Sequence, residues 1–105
     1  MLTYPPYIRG IRAGRKRIVD KILEELKGIE DDDKLYIVVY DFPEGKNPKE
    51  FYVGLNALRE RDPIHDIQRS TLEVRGRRTA LAVMCLARHY GAEVRAFQVI
   101  EELIR

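Results

Sequence analysis

The chain is poor in the residues that announce common chemistries. Its 105 residues include one cysteine, no tryptophan and two histidines. A lone cysteine, Cys85, excludes an internal disulfide and any cysteine-based zinc cluster. It lies within the apolar run Ala80–Ala87, where a packed, inert thiol is expected. His65 and His89 lie on different segments and form neither HxH nor HxxxH, which removes the common histidine metal motifs. No apolar run approaches the roughly 20 residues of a membrane span, and the N-terminus shows no apolar core followed by a small-residue cleavage site. A cytoplasmic protein with no membrane partner is therefore expected. Asparagine and glutamine number two each against thirteen arginines, a balance that leans toward a thermophilic source.

Charge is abundant. Lys and Arg number 19, Asp and Glu 17, for a net charge of +2. Residues 1–28 carry seven basic and three acidic side chains, residues 29–68 five and ten, and residues 69–105 seven and four. Basic ends around an acidic middle suit a protein that offers one face to a polyanion and keeps another clear. The same pattern also suits a self-complementary dimer.

One domain is expected from the length, divided into an arm over 1–10, a basic helix over 11–28 and an α/β core over 34–101. Pro5 and Pro6 keep the arm extended. Ile11, Ile18, Val19, Ile22, Leu23 and Leu26 hold helical spacing up to Gly28. Glu30–Asp33 reads as a solvated acidic linker. The unbroken run Leu35–Tyr40, then Asp41, Phe42 and Pro43, reads as a central strand covered on both faces. Asn47-Pro48-Lys49-Glu50 starts the next helix, with Asn47 as its cap. Ile64–Val74 alternates as one further strand. Arg75-Gly76-Arg77-Arg78 turns into a helix over about Thr79–Tyr90, apolar at every position from Ala80 to Ala87. Such a helix needs cover beyond its own sheet. Val94–Ile100 is a last strand.

The expected fold is thus an α/β (α+β) sandwich in helix-strand-helix-strand-helix-strand order. Two forms fit: a ferredoxin-like sheet, or a three-stranded α/β layer with parallel crossovers and an added N-terminal helix. The ferredoxin-like form needs a fourth strand, which only a hairpin near Glu73–Arg77 supplies. Both forms suggest a homodimer.

Asp41 is the first candidate for chemistry. A carboxylate at a strand end can ligate Mg²⁺ or Mn²⁺ and serve a metal-dependent nuclease, with Glu44 as a second ligand; its plainer role is a cap for the following turn. Arg75, Arg77 and Arg78 precede helix amides that suit a phosphate, and Arg69, expected mid-strand, extends that surface. Arg12, Arg15, Lys16 and Arg17 cluster in the first turns of the N-terminal helix, against its dipole, a placement that phosphate contact would explain. DNA, RNA and an acidic protein partner all fit such clusters. Cys85 and His89, four apart on one helix, read as a structural pair. The tyrosines are scattered rather than interleaved with the basic runs.

The segment Tyr36-Ile37-Val38-Val39-Tyr40-Asp41-Phe42-Pro43-Glu44, the helix with Leu55 and Leu58, and the run Ile67-Gln68-Arg69-Ser70 together resemble a ferredoxin-like group. That group contains the small dimeric CRISPR-associated adaptation protein, the virulence-associated protein D ribonucleases and the C-terminal domain of the phenylacetate-operon repressor. The resemblance covers about residues 35–74. It implies a homodimer acting on nucleic acid, with Asp41 as the metal-binding acid. The working expectation is a homodimeric nucleic-acid-binding protein using the Arg-rich turn and basic helix. The alternatives are a metal-dependent nuclease centred on Asp41 and a non-catalytic protein–protein assembly module.

Overall fold

A computed structural model describes residues 10–45 and 48–103. Helix α1 spans Gly10–Leu26, strand β1 Leu35–Asp41 and, after a short turn at Pro43–Gly45, helix α2 Lys49–Arg59. Strands β2, Ile64–Gln68, and β3, Thr71–Arg75, follow. Helix α3, Arg77–His89, and strand β4, Glu93–Gln98, complete the order. The sheet runs β2-β3-β1-β4 and every pairing is antiparallel.

Of the two expected forms this excludes the three-stranded layer with parallel neighbours: among the described residues the sheet has four strands, all neighbours antiparallel. The expected strict alternation is corrected, because 64–75 is a hairpin rather than one strand. The turn lies at Arg69–Ser70, not near Glu73–Arg77. Ser70 takes a left-handed φ of 63° there, which a short polar residue tolerates at a turn. A single strand would have held Asp66, Gln68 and Ser70 in one row with Ile64, Leu72 and Val74. Folding back instead sets Ile64 beside Val74 and releases the polar residues through a bulge between Asp66 and Gln68. β1 and β2 are now parallel with β3 between them, and β3 and β4 are parallel with β1 between them. These two split crossovers are the ferredoxin-like arrangement.

Alternation along β1 buries Tyr36, Val38 and Tyr40 against the helices, with Leu72, Val74 and Val94 from its neighbours. From α2 come Phe51, Leu55 and Leu58, and from α3 Ala80, Ala82, Val83 and Leu86. Burying a side chain of this size contributes about 1.5–3 kcal/mol before its entropy cost. Tyr40, Phe42 and Phe51 pack with ring centroids 5.0–5.8 Å apart.

α1 forms a third layer over α2 and α3, with Val19 buried and Ile18, Ile22, Leu23 and Leu26 against the core. It therefore supplies, from the same chain, cover that the all-round apolar α3 requires. Gly54 permits the close approach: a Cβ there would stand 2.9 Å from Leu86 Cδ2 and 3.3 Å from Val19 Cγ2. At the start of α2, Pro48 holds the cap position in extended geometry, while Asn47, the expected cap, lies outside the described residues. The arm over 1–9 also lies outside them.

Candidate functional site

The Arg75–Arg78 turn sits where β3 ends and α3 begins, and it is already engaged. The Arg77 backbone N–H donates to Asp32 Oδ1 at 2.9 Å, and the Arg78 N–H to Asp31 Oδ1 at 2.9 Å. The acidic linker is solvated, as expected, and two of its carboxylates, Asp31 and Asp32, also cap the amides expected to face a phosphate, at the positive end of the helix dipole. Asp32 also accepts from the Lys34 N–H at 3.1 Å and, through Oδ2, from the Tyr36 hydroxyl at 2.8 Å. Partial desolvation pushes the Asp32 carboxyl up, but the Tyr36 hydroxyl and the Lys34 and Arg77 amides outweigh it and hold the group below its ordinary value. Tyr36 is raised by burial and by donating to Asp32.

Two of the guanidiniums serve the same clamp. Arg75 Nη1 donates to the Asp33 carbonyl at 2.8 Å, and Arg78 Nη2 to the Ile29 carbonyl at 2.6 Å. Gly76, at φ 102°, lets the backbone pass: a Cβ would stand 3.3 Å from the Asp32 carbonyl oxygen. Arg75 and Arg77 are exposed and Arg78 is half-buried.

The other predicted cations lie elsewhere. Arg69 is exposed at the hairpin tip, not mid-strand. The tip is at the Asp41 end of the sheet, since the Tyr40 N–H donates to the Ser70 carbonyl at 3.1 Å. Six residues of strand, about 20 Å at 3.3 Å each, separate it from Arg75. Arg12, Arg15, Lys16 and Arg17 fall in the first half of α1, with side chains outside the described residues. Ile18 and Lys21 line a groove with Arg88 and His89, while Ile29 meets Arg78, so α1 and α3 run antiparallel. The basic half of α1 therefore lies toward the C-terminal end of α3, away from Arg75–Arg78. Cys85 is half-buried in that groove.

Asp41 is exposed at the end of β1, directly opposite Glu93 of β4. Among the described residues no group of three His, Cys, Asp or Glu converges to hold a metal ion. Glu44 is exposed in the following turn at φ 56°. Asp41 and Glu93 are the pair from which a Mg²⁺ or Mn²⁺ site would start, and side by side they repel.

Sequence reasoning missed the outer face of the sheet. Among the described residues no helix covers it; α2 and α3 occupy the other face. Leu35, Ile37 and Val39 of β1 lie on it, opposite Arg75, Glu73 and Thr71 of β3, with Phe97 and Arg95 of β4 paired to Ile37 and Val39. Phe97 is 46% exposed and Val39 39%. The Arg95 guanidinium lies over the Phe97 ring, 5.1 Å from its centroid. The alternation Glu93-Val94-Arg95-Ala96-Phe97 carries this signal in the sequence, where exposed Arg95 and Phe97 flank buried Val94 and half-buried Ala96. A second missed group lies under α2. Tyr40 is raised by burial and by a hydrogen bond with Tyr52, and Arg59 pairs with Asp66 at 3.2 Å.

No protein family, curated protein or solved structure matches this chain. Among the described residues no helix is long and apolar enough to cross a membrane.

Proposed function

We propose that this chain is a small homodimeric module that binds single-stranded nucleic acid on the open face of its sheet, without catalysis. The observation that carries this reading is the Arg95–Phe97 pair: an aromatic ring, half exposed on an uncovered apolar sheet face, with a guanidinium over it. A base stacks on such a ring for about 1–3 kcal/mol, with little sequence preference. An open four-stranded sheet bearing aromatics is one general way of splaying bases out. Arg75 lies on the same face, at the end away from Asp41, and offers the rest of its fork to a phosphate. Asp41 and Glu93 repel phosphates from the other end, which directs the strand from Phe97 toward Arg75 and Arg77. The contact surface thus moves from the Arg-rich turn, whose amides are taken, to the sheet.

Titration of labelled single-stranded RNA and DNA against the native chain and Phe97→Ala tests this. Binding that weakens at least about fivefold in the variant, the lower bound for one lost stack, is the expected result. Unchanged binding overturns the assignment to this face. A second reading, a non-catalytic protein assembly module, draws on the same face, because Ile37 and Val39 are apolar and Glu73 and Glu93 balance its arginines. A protein partner whose binding is weakened by Phe97→Ala, in a chain that binds no nucleic acid, favours it.

A further inference from the structure

The two edges of the sheet are not equivalent. β2 is five residues long, follows Pro63 and carries a bulge between Asp66 and Gln68. Short length, proline and a bulge are the usual devices that keep an edge from pairing. β4 has none of them. It runs regularly for six residues, and no strand among the described residues pairs with its outer side. The Val99 N–H donates inward to the Leu35 carbonyl, and antiparallel alternation then turns the backbone groups of Gln98, Ala96 and Val94 outward. Beside this edge α3 is not fully covered either. A groove of about 240 Å³ between α3 and β4 is lined by Ala80, Leu81, Met84 and Ala96, with Tyr36, Arg77 and Gln98 at its polar ends. α1 covers α3 on a different flank, so Leu81 and Met84 stay half-buried.

We propose that a second copy of this chain occupies that edge, β4 pairing antiparallel with β4 about a two-fold axis at Ala96 to make one continuous eight-stranded sheet. The inference rests on the homodimeric reading above and supplies its geometry. The register follows from self-complementarity. Centring on Arg95 would set two guanidiniums opposite each other, which is destabilising. Centring on Val94 would leave only Glu93–Arg95 of each strand in the ladder. Centring on Ala96 keeps residues 94–98 of both copies paired, sets Arg95 of each opposite Phe97 of the other, and opposes no like charges. It also brings the two α3 helices together across small Ala96, so that Leu81 and Met84 of each copy cover the groove of the other. The Arg95 and Phe97 pairs of both copies then form one doubled platform on the outer face.

Ala96→Pro tests the pairing. The Ala96 N–H points to the free edge, so proline removes a bond between copies and none within the chain. With the native chain dimeric by sedimentation, the variant is expected to keep the native circular dichroism and to raise the dimer dissociation constant roughly 30-fold, the loss of the two Ala96 N–H bonds across the axis. A folded Ala96→Pro chain that stays as dimeric as the native one overturns the pairing and leaves the homodimer standing. A native chain that is monomeric overturns both. If Ala96→Pro fails to fold, Ala96→Cys in a Cys85→Ala background decides: a hydrogen-bonded pair places the two Cα atoms about 5.5 Å apart, within disulfide reach. Oxidation is expected to give a covalent dimer, and a non-covalent dimer that does not cross-link overturns the proposal.

Discussion

Gly76 is constrained twice, by its backbone angle and by its neighbour. Its φ of 102° disfavours any side chain, and a Cβ would press on the Asp32 carbonyl at 3.3 Å. Gly76→Ala should therefore cost about 1–3 kcal/mol, read from chemical denaturation. Gly28→Ala, where a Cβ meets nothing within 4 Å, should be neutral or mildly stabilising. Equal effects would mean that the clamp is not formed in solution. Asp32 gives the same clamp a pH signature. Its carboxyl is held below the ordinary value by the Tyr36 hydroxyl and two amides, against desolvation. A depressed folded value means that its stabilisation is complete above the unfolded value near 4 and is lost as pH falls through the lower, folded one. Asp32→Asn should flatten the acid side of the stability–pH curve, and an unchanged curve would rule the carboxylate out as its source. At the other end of β1, Asp41 faces Glu93 across the ladder. Asp41→Asn should stabilise the chain by a few tenths of a kcal/mol, up to about 1, with the gain shrinking in salt.

At the level of elements, most of the architecture could be read in the sequence and the hairpin could not. β1, α2 and α3 announce themselves through a β-branched run, a 3.6-residue stripe and a glycine stop, all local signals. The β2–β3 turn is built on Arg69 and Ser70, neither of which is a glycine, proline, asparagine or aspartate. The alternation of Ile64–Val74 runs straight through it, so only the pairing of Ile64 with Val74 reveals the fold-back. The capping role of the acidic linker was hidden for a related reason: three aspartates in a row look merely solvated, and the amides that Asp31 and Asp32 cap lie more than 40 positions away. Basic residues were legible as a composition, but their grouping depends on the antiparallel run of α1 and α3, which no local pattern encodes. The junction of the three helices is likewise tertiary. Gly54 holds Leu86 and Val19 at contact distance, so Gly54→Val should overpack it and cost about 1–3 kcal/mol. Leu86→Ala alone should cost about 2–5. Combined, the two should cost less than their sum, because the valine fills part of the space that leucine leaves. Strict additivity would show that α2 and α3 do not meet at this point.

Across the whole molecule, the folded chain separates charges that the sequence places in two flanking blocks. Arg75, Arg77 and Arg78 lie where β1 begins, and two of these guanidiniums hold the linker's carbonyls. Arg69 and the basic half of α1 lie toward the end where β1 finishes, the end that carries Asp41 and Glu93, with α1 on the helical side of the sheet and the two carboxylates on the outer side. No single strand of nucleic acid laid along the outer face reaches both groups without crossing that acidic end. The face itself offers Arg95 and Arg75, with Arg77 at its margin, so the proposed binding would neutralise about three phosphates. At roughly −0.7 per phosphate for a single strand, the logarithm of affinity should fall with that of salt at a slope near −2. The uncharged remainder, stacking on Phe97, should persist at high salt and vanish in Phe97→Ala. A slope near −5 would instead mean that both basic ends engage one ligand, and the contact surface would have to return to the arginine clusters. Replacing Arg75, Arg77 and Arg78 together does not separate these cases, because Arg75 and Arg78 also tie the linker to the core and their loss lowers stability. Arg95→Ala separates them: it should remove about one phosphate from the slope while leaving the linker clamp, which Arg95 does not touch, in place, read as an unchanged circular dichroism spectrum.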